Sequence, residues 1–296
     1  VFESEFKHVE GQVATFAGLT ELHQYRSISA KAKDISEKLS EFVSRSRDFN
    51  SKEKMMELAI TEYFKVKALQ KKFQPYDDLW TTTNAWRQSE KVWYHGPFLN
   101  LDSTAVLGKH SLYEKTIKKC LKQKLIRDND ELADIAGVIL AEIRKSKPHL
   151  PLVANLRHTG MRPRHWTALS LQLEEKLKPD QSTRLLDLIE IFSLDDHVAE
   201  IVELGEVCKK EYAIETALKT MKSKWEGVEF TFGSHEATGS FILKEVEDIT
   251  NQLDEHIIQT QTMQFSSFKK VFEEEIQQWN DKLRMCTDVI EQWLIL

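Results

Sequence analysis

From Phe268 to Trp293 apolar residues recur at steps of four, four, three, four, three, four and three: Phe268, Phe272, Ile276, Trp279, Leu283, Cys286, Ile290 and Trp293. An α-helix places residues at this spacing on one face. A seam kept over about three heptads predicts a long straight helix lying against a partner helix. Little in the chain interrupts such helices. There are 10 Gly and 6 Pro among 296 residues, too few breakers for a strand-and-turn architecture.

The same period runs through most of the sequence. Over residues 3–72 it is carried by Ile28, Ile35, Leu39, Phe42 and Val43, then by Met56, Ile60, Tyr63, Phe64 and Leu69. Residues 73–97 are rich in aromatics, and Leu79, Trp86 and Trp93, one heptad apart, share a helix face. Bulky side chains at that spacing predict a seam between helices rather than a ligand box. Gly96-Pro97 ends the helix. Two more helices fit 110–126 and 128–147, the second after an acidic Asp128–Asp130 start. Beyond Pro148 and Pro151, Gly160 marks a turn and Pro163 a first helical position. Trp166, Leu169, Leu173 and Leu177 then predict a helix running to Pro179.

A leucine-rich element at 183–192 precedes a long helix from about Asp195 to Trp225, with Val198, Ile201, Val202, Ile214, Leu218 and Met221 inward. There the period changes to two. Val228, Phe230 and Phe232 alternate with Glu229 and Thr231, and beyond GSHEATG come Phe241 and Leu243, which predicts a β-hairpin. Helical spacing returns at Val246, Ile249, Leu253 and Ile257. The fold class is mainly α: an elongated array of helical bundles with one short β-hairpin at about 228–243.

A formal charge of −6 argues against nucleic acid or an anionic membrane as the main partner. No apolar run approaches the roughly 20 residues of a membrane span, and no signal-peptide core opens the chain. Cys120, Cys208 and Cys286 are odd in number and far apart, a pattern of reduced intracellular thiols without a disulfide framework. The chain opens on Val1 and stops in the apolar pattern EQWLIL, so a fragment of a longer chain is expected.

Catalytic motifs fail on inspection. Gly108-Lys109 lacks the first Gly and the Ser/Thr of a P-loop, since Ser103 and His110 stand there. His235-Glu236 begins a zincin motif that Gly239 leaves incomplete. Asp77-Asp78 and Asp195-Asp196 read as helix-start carboxylates rather than an acid–base pair, and Asp254, Glu255 and His256 as a charged helix face. No catalytic, cofactor-binding or metal-binding residue is assigned. The one dense polar cluster is Arg157, His158, Arg162, Arg164, His165 and Trp166. Arginines beside a turn and a helix start could hold phosphate. Alternatively they pair with acids on neighbouring helices, with Trp166 in the core.

That cluster lies in LPLVANLRHTGMRPRHW, residues 150–166, which resembles a segment of dynein heavy chains. So do Tyr76-Asp77-Asp78-Leu79-Trp80 with Trp86 and Trp93, Leu185-Leu186-Asp187-Leu188, the hairpin, QTQTM at 259–263 and FEEEIQQWNDKL at 272–283. In order they cover roughly 65–296, and the form of the main motif looks more like axonemal heavy chains than cytoplasmic ones. His158-Thr159 stands where many relatives carry Asn-Pro.

The resemblance implies tail or neck helices at 1–72 and the N-terminal part of the dynein linker at 73–296. The linker is a non-catalytic lever that carries the ATP-driven change of a ring of six AAA+ modules to the tail. ATP and Mg would belong to the ring, with no cofactor in this segment. Implied partners are the chain's own AAA+ ring in cis and other dynein heavy, intermediate or light chains, with the microtubule reached only indirectly. The implied location is the cytoskeleton of the ciliary or flagellar axoneme. Arg157, Met161, Arg162, Pro163, Arg164, His165 and Trp166 would form a structural linker motif locking two bundles together. Glu229, Thr231, His235, Glu236 and the turn through Thr238 would offer a docking surface. Without the resemblance, the patterns fit a spectrin-like helical scaffold or interaction module, or a metal-free helical enzyme with an unrecognised site.

Overall fold

The computed structural model describes residues 2–236 and 239–295. They fold as helices with one two-stranded antiparallel hairpin, and the chain divides into two compact units. The first comprises Val1–Arg157 and Pro179–Val198, the second His158–Lys178 and Ala199–Leu296.

The first unit is built on α1 (Phe2–Phe16), α2 (Tyr25–Met55), α3 (Phe64–His95), α4 (Ser103–Lys122), the single turn α5 (Lys124–Arg127), α6 (Asp130–Lys145) and the short α7 (Leu150–Leu156). α2 packs along α3, α3 on α4, and α4 on α6 and α7. α3 runs through Pro75, which cannot donate to the carbonyl one turn back. The helix persists because Val66, Leu69, Phe73, Tyr76, Leu79 and Trp86 form one buried stripe across it. Leu79, Trp86 and Trp93 are buried together as their heptad spacing predicts, and the Trp86 and Trp93 rings meet edge to face at 5.9 Å. Asp102 caps α4 and Asn129 caps α6, each accepting a backbone N–H with its side chain.

Two expectations fail in this unit. The spacing of Met56, Ile60 and Phe64 does not extend a helix: α2 stops at Met55, Glu57 takes a left-handed φ of 56°, and all three side chains are exposed. Asp77 and Asp78 sit mid-helix rather than at a helix start. Asp77 accepts from the Ser36 hydroxyl at 2.9 Å, and Asp78 pairs with Lys119 at 3.0 Å, so each ties α3 to a neighbour. The leucine-rich element expected at 183–192 is present as the short α8 (Leu185–Glu190), which returns to pack on α3.

In the second unit the helix that starts at Pro163 is α9 (Pro163–Gln172), followed by α10 (Val198–Trp225), β1 (Thr231–His235), β2 (Ser240–Lys244), α11 (Glu247–Gln264) and α12 (Glu273–Ile295). α9 does not reach Pro179. Glu174 turns the backbone left-handed at φ 56°, and the loop brings Leu177 back into the core, its N–H donated to the Ser170 hydroxyl at 3.1 Å. The seam that opens at Phe268 is likewise shorter than its period. Phe268 and Phe272 lie outside α12, in the turn before it, and α12 packs against α11. Strand register pairs Thr231 with Lys244 and His235 with Ser240.

Candidate functional site

α10 carries a buried stripe of Ile201, Gly205, Cys208, Glu211, Ile214, Leu218 and Met221. One member is a carboxylate. A buried carboxylate requires donors, and the segment 158–165 supplies them. Arg164 donates to Glu211 Oε2 from Nε at 2.8 Å and again from Nη2, while His165 Nε2 lies 3.0 Å from the same oxygen. One turn further along α10, Glu215 takes both of its oxygens to Arg162 Nη2 at 2.9 Å.

His165 has its tautomer set by the helix it begins. Its Nδ1 accepts the N–H of Arg162, the residue before the helix, at 2.9 Å. The neutral ring then carries its hydrogen on Nε2 and donates it to Glu211. Burial, opposed by Glu211 and reinforced by Arg164 and Arg162, holds the imidazole pKa below its ordinary value. Pro163 occupies the first turn, where no N–H is missed.

The turn before the helix is packed just as closely. A Cβ on Gly160 would meet Tyr212 Cβ at 2.5 Å, so glycine is needed here for the approach of α10 rather than for a special φ. His158 Nδ1 accepts the Gly160 N–H at 3.1 Å, and the His158 ring stands edge-on to Tyr212. Met161 closes the turn through its N–H to His158 O at 2.9 Å.

The residues expected to act together separate in two respects. Arg157 belongs to the first unit, where its Nε donates to Leu101 O at 3.0 Å and its guanidinium lies over Phe98. Trp166 is half-buried rather than a core residue; the buried aromatic-like ring at this helix start is His165. Arg162 and Arg164 are paired with Glu215 and Glu211, so the charge of these two arginines is met within the protein. Glu211 and Glu215 went unassigned at the sequence level. The available signal was an acid at a position of α10 that its helical period places inward.

On the hairpin, Glu229, Thr231, His235 and Glu236 are exposed; Ala237 and Thr238 fall outside the described residues. The alternation does not divide a wet face from a dry one, because Phe230, Phe232 and Phe241 are exposed too. A two-stranded ribbon lacks a second layer to cover either face. Among the described residues no group of three or more His, Cys, Asp or Glu is placed to hold a metal ion. No helix among them is long and apolar enough to cross a membrane.

A family model for "Dynein heavy chain, N-terminal region 2" matches residues 66–296, the span that holds this knot and the hairpin. The chain belongs to the dynein heavy chain family. It is 34% identical to dynein axonemal heavy chain 1 of Homo sapiens over 99% of its own length and 7% of that protein's. Dynein axonemal heavy chain 3 of Homo sapiens is 29% identical over 89% of this chain and 6% of the relative. For dynein axonemal heavy chain 12 of Mus musculus the figures are 27%, 99% and 9%. The chain thus spans under a tenth of the dynein heavy chains it matches.

Proposed function

We propose that this chain is a mechanical segment of an axonemal dynein heavy chain. Residues 73–296 form the N-terminal part of the linker, and 1–72 are helices of the tail or neck. The segment itself catalyses nothing; ATP and Mg act in the AAA+ ring of the parent heavy chain, and the segment carries the ring's change of shape to the tail. Its partners are that ring in cis and other dynein chains through the tail, with the microtubule reached only through the rest of the motor. Its place is the ciliary or flagellar axoneme.

The observation that carries this reading is the match to the dynein heavy chain region over 66–296. The physics is compatible. A lever must pass strain on, and close-packed helices with interdigitated aromatics deform little. The knot of Arg162, Arg164 and His165 on Glu211 and Glu215 adds directional bonds that fix the start of α9 against α10. In the parent heavy chain, deleting 66–296 should leave ATP turnover measurable while microtubule gliding is lost, and Glu211→Gln should slow gliding more than turnover. Gliding that stays in proportion to ATP turnover in both variants overturns the lever reading. Charge reversal at Glu229 and Glu236 tests the hairpin as a docking surface; unchanged gliding velocity rejects it.

A further inference from the structure

The core of the second unit is interrupted. One apolar cluster gathers Ile214, Leu218 and Met221 of α10 with Met263, Phe272 and Ile276. Another gathers Leu253, Leu283 and Ile290 of α11 and α12. Between them α11 and α12 bury polar side chains, and among the described residues Trp279 of α12 is the one apolar group packed against both clusters. On α11, His256 and Thr260 fall between Leu253 and Met263, and both are fully buried. On α12, buried Asn280 falls between Ile276 and Leu283. On α10, Trp225 lies one turn beyond Met221 and donates its indole N–H to His256 Nδ1 at 2.8 Å.

This layer is only partly satisfied. His256 Nε2, Asn280 Oδ1 and Trp279 Nε1 are buried and make no hydrogen bond. Because His256 Nδ1 accepts, the neutral ring holds its hydrogen on Nε2, a donor with nothing to donate to. Buried polar groups without partners weaken a core wherever they lie, and here they lie at one level of a bundle. α10 reaches the second cluster only with Trp225, its last residue, and beyond that residue the bundle loses α10. The remaining cluster is small, and Val289, Trp293 and Leu294 on α12 are exposed.

We propose that the layer of His256, Thr260 and Asn280 is a parting plane, latched by Trp225 on His256, across which the far ends of α11 and α12 open and reclose as a separate unit. Local opening follows regions of few buried contacts, and this plane divides such a region from the larger cluster. The latch has a chemical release. A proton on His256 must go to Nδ1, the atom that accepts from Trp225. Burial and Lys224 on α10 oppose that proton, Glu255 on α11 favours it, and α12 faces the layer with the uncharged Asn280; the balance holds the ring's pKa below its ordinary value. The latch is therefore closed at neutral pH.

Amide hydrogen exchange on the intact 296-residue chain tests the proposal. Amides of 247–256 and 283–290 should exchange about tenfold or more faster than those of 214–221. Trp225→Phe, which removes one N–H and keeps the ring, should accelerate the far ends alone by a further severalfold. Asn280→Leu should slow them towards the rate of the near end. Equal exchange at the two ends overturns the proposal. So does a Trp225→Phe effect that is absent or spread evenly over both ends, a readout that holds even where Asn280→Leu fails to fold. The inference does not depend on the lever reading and is tested without a motor assay.

Discussion

In the first unit the largest buried side chains are aromatic, Phe16, Phe73, Trp80, Trp86 and Phe98, and much of its buried polarity is absorbed locally. Ser46, Thr83 and Ser146 bond carbonyls three or four residues back on their own chain. The second unit buries His165, Glu211, His256 and Asn280 instead, and its bonded members reach partners 31 to 47 residues away. The first unit therefore stands chiefly on volume and packing. The second adds directional bonds that chemistry can break without changing volume.

The largest expected effect tests the packing side. Trp86→Ala should cost about 3–5 kcal/mol as a core truncation. Trp166→Ala, at a half-buried position, should cost about 1–2 kcal/mol, in line with the smaller apolar area it covers. Chemical denaturation of the two variants compares them directly, and equal losses would contradict the difference in burial. On the other side, Glu211→Ala strands Arg164 and His165 and should cost about 2–3 kcal/mol in the same measurement. Glu211→Gln keeps an acceptor oxygen and should cost less.

Acid sharpens the contrast further. His149, His158, His165 and His256 all have imidazoles held below the ordinary pKa, chiefly by burial, and three of the four lie in the second unit. An unfolded imidazole titrates near 6.5. The unfolded chain thus binds protons first as pH falls, so the stabilisation is complete above about 6.5 and is lost on the way down to the folded values. Melting followed from about pH 7 to about pH 5 should show a falling midpoint, less steep in His165→Gln. A slope unchanged by that substitution would remove His165 from the account. The smallest effect belongs to the hairpin, where Phe241→Ser on an exposed strand should change stability by no more than about 0.5 kcal/mol.

Much of the architecture could be read from spacing because it depends on local period. Leu79, Trp86 and Trp93 are seven apart and share a buried face, and the switch to period two at 228–243 is a hairpin. Helix ends were less legible. Met56–Phe64 and Leu173–Leu177 keep a helical spacing that single left-handed residues, Glu57 and Glu174, interrupt. Nothing in the apolar pattern marks where such a residue will fall.

The sequence alone determined the helical character, the hairpin, the turn before Pro163 and, through LPLVANLRHTGMRPRHW, the family. Only tertiary structure decided what the charged residues of that motif do. Arg162 and Arg164 could be a phosphate cradle or half of an ion-pair knot, and the choice depends on whether acids from residues 211 and 215 arrive within hydrogen-bond distance. That is a matter of how α10 packs some fifty residues along the chain. Periodicity reports which side of a helix is covered, but it does not report by what.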